Sequence, residues 1–166
     1  MPRGNVMQHF PNADNVALIM ARQMREEPGA FITRHITTHK VFSAYDINSI
    51  FPLYTYATGS SFFSTPSRVP NLDMALVDSF AGALGLRFTP EKEAGSGTFA
   101  PTDLLDYVYA VLHSPSYRER YREFLKVDFP RVPYPGSVGS FWRLVAYGGA
   151  LRALHLMESP VLENFI

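Results

Sequence analysis

Up to about residue 70 the apolar residues come in short runs broken by turn formers, and beyond it they recur at helical spacing. Asn15-Val-Ala-Leu-Ile-Met-Ala-Arg-Gln23 consists of good helix formers, and propensity taken alone predicts a helix there. Two features oppose that reading. The run is short and leads into the turn-like Arg25-Glu-Glu-Pro-Gly29, and the following Ala30-Phe-Ile-Thr-Arg-His-Ile-Thr37 is rich in β-branched residues. Two short runs about a Pro-Gly turn predict a β-hairpin. Ile47 to Tyr56 reads as a third extended stretch, with Pro52 at an edge or strand start because it has no N–H to donate. Residues 58–70 are a Ser/Thr/Pro-rich loop.

From residue 71 the period lengthens. Asn71 is placed to cap a helix with Leu72, Ala75, Leu76, Ser79 and Phe80 on one face, ending at Gly85. A Gly/Ser-rich loop at 94–98 leads to Thr102, the expected cap of a helix over Asp103–His113. Ser114-Pro115 stops that helix and starts another over Ser116–Leu125, so the two should form an αα-hairpin. Residues 128–136 hold three prolines and must run extended. A last helix is expected from about Ser140 to Met157. The fold class expected is α+β: a small antiparallel β-sheet in the N-terminal third packed against a mainly helical C-terminal half. With no repeat and no long linker, residues 1–166 read as a single domain, 1–70 mainly β and loop and 71–166 mainly α.

Composition narrows the chemistry. A 46% hydrophobic, 14% aromatic chain has enough apolar residues for a core, which rules out disorder as its dominant state. The absence of Cys excludes disulfides, thiolate zinc sites and a Cys nucleophile. No apolar run approaches the roughly 20 residues of a membrane helix, and Met1-Pro-Arg-Gly-Asn5 is no signal peptide, so the chain reads as soluble and cytoplasmic. Fifteen basic residues balance fifteen acidic ones, so any hold on nucleic acid must come from a local patch. Residues 1–70 carry six basic and four acidic side chains, whereas 71–130 carry six and nine.

That imbalance directs attention to Arg22, Gln23, Arg25, Arg34, Thr37, Thr38, His39 and Lys40 as candidate DNA-contacting residues. Arg reads guanine, Gln reads adenine, and Thr or Lys holds phosphate. A solvated hairpin would show the same inventory, and the 58–67 loop is a second possible reader. Other motifs have plainer explanations. Gly95-Ser-Gly-Thr-Phe99 resembles a cofactor loop, but charged Pro90-Glu-Lys-Glu-Ala94 is no buried strand, so it reads as a connector and no cofactor site is assigned. His35 and His39 have metal-pair spacing only on a helix, which their β-branched surroundings oppose, and no metal or catalytic residue is assigned. His9 and His113 read as structural. Tyr117, Tyr121 and Phe124 beside Arg118 and Arg122 suit base stacking, but the same spacing describes a core face, and Trp142 likewise reads as core.

Two blocks carry a family resemblance. Residues 99–157, from Phe-Ala-Pro-Thr-Asp-Leu-Leu-Asp-Tyr through Asp-Phe-Pro-Arg-Val-Pro to Phe-Trp-Arg-Leu and Leu-His-Leu-Met, resemble the C-terminal specificity domain of type ISP restriction–modification enzymes. Arg3–His9, Asn15–Gln23 and Phe51-Pro-Leu-Tyr54 look like the segment that joins the adenine methyltransferase to target recognition in that family. The resemblance implies recognition of double-stranded DNA for an enzyme that combines nuclease, translocase and N6-adenine methyltransferase. It also implies that S-adenosylmethionine belongs to the associated methyltransferase domain. This chain has no Asn-Pro-Pro-Tyr-type motif, Walker loop or nuclease core, and is expected to be non-catalytic alone. The competing expectation is a protein-interaction module, marked by a large exposed apolar patch.

Overall fold

The computed structural model describes residues 6, 8–10, 15–23, 29–42, 47–56, 68–95 and 97–165. Strand β1 (Ala17–Ala21) lies between β2 (Ala30–Thr33) and β3 (Asn48–Pro52), antiparallel to both. Its central place explains why strand overrides helix propensity: both edges are hydrogen-bonded and side chains on both faces are buried. Leu18 and Met20, with Ala30 and Ile32, face the main core. On the other face Phe42, from the β2–β3 connection, stacks on Phe31 at 4.8 Å.

Asn15 locks the start of β1 to the next strand pair, β4 (Tyr54–Tyr56) and β5 (Arg68–Pro70). Its buried amide donates to the His9 and Tyr54 carbonyls at 2.9 and 2.7 Å. Its carbonyl oxygen accepts from the N–H groups of Val16 and Tyr54, so the side chain is fully used. His9 Nδ1 accepts from the Tyr56 N–H at 3.1 Å, a structural role as expected.

The helical half departs from expectation at its caps. α1 (Met74–Leu84) is capped by Asp73, not Asn71, with the Asp73 carboxylate accepting from Ala75 and Leu76 N–H; Asn71 instead donates to the Pro52 carbonyl at 2.9 Å. Gly85 ends the helix at φ 64°, a left-handed position that suits glycine. The buried face is Val77, Phe80 and Leu84, whereas Leu76 is 63% exposed, contrary to the predicted face. Residues 94–98 are not only a connector, because β7 (Thr98–Phe99) pairs in parallel with β6 (Arg87–Phe88). α2 (Pro101–His113) starts two residues before its predicted first residue, with Asp103 accepting from the Ala100 N–H, so Thr102 is not its cap. α3 (Pro115–Leu125) follows after Ser114, which caps it. α4 spans Val138–His155 and is capped by Ser137.

One cluster of buried apolar side chains joins the sheet to helices α1–α4, with Phe80 at an aromatic centre made by Phe99, Tyr107, Tyr134 and Phe141 at 5.4–5.8 Å between rings. α2 and α4 cross so closely at Gly148 that a Cβ there would lie 1.8 Å from the Asp106 carbonyl oxygen. Beside that crossing Arg152 donates to both Asp106 carboxylate oxygens, at 2.6 and 3.1 Å. Burial pushes the Asp106 carboxyl above the usual carboxylate range, and the paired guanidinium offsets only part of that rise. Tyr117 is buried as the core reading expects, Phe124 is half-buried, and Tyr121 is 36% exposed. Trp142 is half-buried, with its indole nitrogen enclosed and without a hydrogen-bond partner. Among the described residues no helix is long and apolar enough to cross a membrane.

Candidate nucleic-acid interface

The candidate residues do not form one continuous patch. β1 and β2 are antiparallel, with Ala17 opposite Thr33 and Met20 opposite Ala30, so Arg22 and Arg34 leave the sheet at opposite ends. Arg34 binds Glu158 after α4 through both its Nε and an Nη, and that bond holds the Glu158 carboxyl below its usual range. Antiparallel pairing therefore places Arg34 away from the other candidates.

The other end of the sheet gathers most of the rest. Asn48 lies opposite Ala21, and its backbone N–H donates to the His39 carbonyl at 3.0 Å. The Asn48 side chain also donates to the Thr38 carbonyl and accepts from the Val41 N–H. Thr38, His39 and Lys40 are thereby held, exposed, at the end where Arg22 and Gln23 emerge, and half-buried Thr37 adjoins them. Thr38 Oγ1 accepts from the Lys40 N–H, which tightens this turn. Arg25 lies outside the described residues, as does the 58–67 loop. Residues 35–39 are not helical, so His35 and His39 do not share a helix face.

Residues distant in sequence complete this end. Arg22 Nε donates to Asp128 Oδ1 at 3.0 Å, and the Gln23 amide donates to the Val127 carbonyl at 3.3 Å. These contacts bring in Lys126, which closes α3 and pairs with Glu123, and Arg131. Asp128 lies in the field of both Arg22 and Arg131. The Phe129 N–H, then Arg22, holds its carboxyl below the usual range. The result is a group of cations, Arg22, Lys40, Lys126 and Arg131, at one end of the sheet, with Asp128 beside Arg22 and Arg131 and Glu123 paired with Lys126. Exposed ion pairs are weak, so phosphate oxygens can displace Asp128 and Glu123 from their arginine and lysine.

The family model of the type ISP C-terminal specificity domain matches residues 1–166. The chain belongs to this family. Its fold is similar to part of a DrdV–DNA complex solved by cryo-EM, at 24% identity and a TM-score of 0.71, over 92% of this chain and 13% of that one. It is also similar to a nuclease-deletion mutant of the type ISP enzyme LlaGI in complex with a DNA substrate mimic, at 24% identity and a TM-score of 0.61, covering 92% and 11%. The ATP-dependent type ISP enzyme LlaBIII bound to DNA gives 16% identity and a TM-score of 0.59, covering 86% and 8%. The specificity domain thus spans only 8–13% of the length of these chains. No curated protein matches it by sequence.

In the specificity domain, Lys126 and Arg131 are the contributors that local sequence reasoning missed. Nothing near them in sequence pointed to Arg22, because the Arg22–Asp128 contact spans 106 residues. A partial signal was present in residues 128–136, where a proline-rich extended segment carries Arg131 and must lie on the surface of the helices.

Proposed function

We propose that this specificity domain reads a DNA sequence for a type ISP restriction–modification enzyme and performs no chemistry itself. The whole-length family match carries this reading. The cation group about Arg22, Lys40, Lys126 and Arg131 supports it by offering phosphate contacts, while Gln23 and Arg22 offer base-edge readout. S-adenosylmethionine binding and N6-adenine methylation belong to an associated methyltransferase domain, and ATP-driven movement to a translocase domain. The work takes place on double-stranded DNA in the cytoplasm.

The test is selection from a pool of randomised duplexes by the enzyme carrying this domain, followed by binding of matched and single-base-changed duplexes. One enriched sequence is expected. Gln23→Ala should relax a single position, at about 1–3 kcal/mol, while Lys126→Ala should weaken all sequences alike. Selection that returns no preferred sequence, or a preference unchanged when this domain is exchanged for a relative, refutes the reading.

A further inference from the structure

β1 lies between β2 and β3 and runs antiparallel to both, so β2 and β3 run the same way. The chain must therefore return from the Thr33 end of the sheet to the Asn48 end before β3 can start. It crosses the face opposite the main core, where Phe42 stacks on Phe31 with the rings 4.8 Å apart and 16° from parallel. At His39 the chain has already reached the Asn48 end, since the His39 carbonyl accepts from the Asn48 N–H at 3.0 Å. A connection that only had to cross would enter the strand there. Instead the chain turns, at the end of the sheet where Arg22 and Gln23 emerge.

Asn48 holds that turn. It is 6% exposed, and its side-chain amide donates to the Thr38 carbonyl at 3.2 Å and accepts from the Val41 N–H at 2.8 Å. These two bonds bracket His39 and Lys40 from the buried side. The Phe31–Phe42 stack fixes the chain just beyond them. A side chain that reads bases must be free to meet them while its backbone is held, because ordering it on binding costs affinity. Solvation alone requires no such scaffold.

The neighbours of His39 are already engaged. Thr38 Oγ1 accepts from the Lys40 N–H, Lys40 has contacts of its own, and Gln23 donates to the Val127 carbonyl. The His39 imidazole is exposed and makes no hydrogen bond, ion pair or ring contact among the described residues. One ring nitrogen of an imidazole donates and the other accepts. In the major groove it can donate to a purine N7 or accept from the amino group of adenine or cytosine.

We propose that His39 reads a base pair and that Asn48, helped by the Phe31–Phe42 stack, is the positioning residue that presents it. The inference rests on the function proposed above and adds a second reading side chain beside Gln23.

The test uses the enzyme carrying this domain, the duplex it selects from a randomised pool, and the set of single-base-changed duplexes, all at one salt concentration. The readout is the ratio of affinities for matched and changed duplexes. Phosphate contacts cancel in that ratio, and so does any loss of active protein, so a merely structural role leaves it unmoved. His39→Ala should lower the ratio at least about fivefold at one base-pair position. Asn48→Ala should lower it at the same position and add nothing further in the His39→Ala background. Phe42→Ala loosens the turn from its other side, should give the same pattern, and carries the positioning test if Asn48→Ala does not fold. Unchanged ratios in His39→Ala overturn the proposal. So does a loss in Asn48→Ala or Phe42→Ala that falls at other base pairs or adds in full to that of His39→Ala. Unchanged ratios in both Asn48→Ala and Phe42→Ala remove the positioning role. An enzyme that selects no sequence refutes the function proposed above, whereas a preference that His39→Ala leaves intact refutes this inference alone, so the two fail separately.

Discussion

Replacing Asp128 with Asn removes the one carboxylate that stands between Arg22 and Arg131 and keeps the shape of the side chain. Asp128 accepts from the Phe129 N–H and from Arg22 at 3.0 Å, contacts that hold its carboxyl below the usual range. Both Arg22 and Asp128 are well exposed, so the pair adds little to folding stability, and Asn retains an acceptor for the Phe129 N–H. Its effect on DNA binding should be larger. Each unit of positive charge freed for phosphate adds roughly one contact and about −0.9 to the slope of log affinity against log salt. Asp128→Asn frees about one such charge and steepens the slope by about 0.9, which means roughly eightfold tighter non-specific binding at 0.1 M salt and about fourfold at 0.2 M. Fluorescence anisotropy of a labelled duplex across a salt series measures both quantities, with Asp78→Asn on α1 as a control that should change neither. Asp128→Asn that binds no more tightly than the parent, with an unchanged slope, would show that phosphate does not meet this cation group.

Three further outcomes test the fold that holds these surfaces. Gly148→Ala should destabilise the chain by about 3 kcal/mol or more in urea unfolding, because its Cβ would meet the Asp106 backbone carbonyl at 1.8 Å and neither helix can yield cheaply. Asp73→Ala should cost about 1 kcal/mol by the same measurement and Asp73→Asn much less, since the cap on Ala75 and Leu76 N–H survives in Asn. Burial lowers the pKa of His113 from its ordinary 6.5, so below that pH the unfolded chain takes up a proton that the folded chain resists. Stability is therefore complete above about pH 6.5 and falls as the pH drops towards the folded value. His113→Asn should flatten that part of the profile, and a profile equally steep in the variant would exclude His113 as its source.

The hairpin was legible because a Pro-Gly turn and β-branched residues outvote the helix propensity of Val16–Gln23, and β1 is a strand because it gains partners on both edges. The helix over 74–84 was legible too, but not its buried face. With one charge in eleven residues there is no polar stripe to orient it, so Leu76 was expected inside and lies outside, while Val77 and Leu84 take the core positions. At the candidate interface the residue types could be read locally, but their grouping could not. Strand direction, which sends Arg34 to the far end, and the contact between Arg22 and Asp128 are long-range properties that no local window contains.

The segment between α3 and α4 borders the cation group at one end and the apolar α1–α2 groove at the other. Residues 128–136 cannot form a helix because of Pro130, Pro133 and Pro135, and their extended path needs anchors from elsewhere. Tyrosine hydroxyls on two successive helices supply them: Tyr117 of α3 donates to the Arg131 carbonyl at 3.0 Å, and Tyr107 of α2 donates to the Pro133 carbonyl at 2.6 Å. Burial pushes the Tyr107 hydroxyl up to about 12, so it remains a donor throughout the physiological range. Between these anchors the segment changes role. Asp128 and Arg131 face the cation group, whereas Val132, Pro133 and Tyr134 close the apolar groove and Tyr134 packs edge-on against Phe80 at 5.4 Å. A charged stretch and an apolar stretch thus follow one another on a single extended segment. The same two helices that meet the rest of the core fix the position of each, so the cation group and the groove are held at a set separation without a hinge between them.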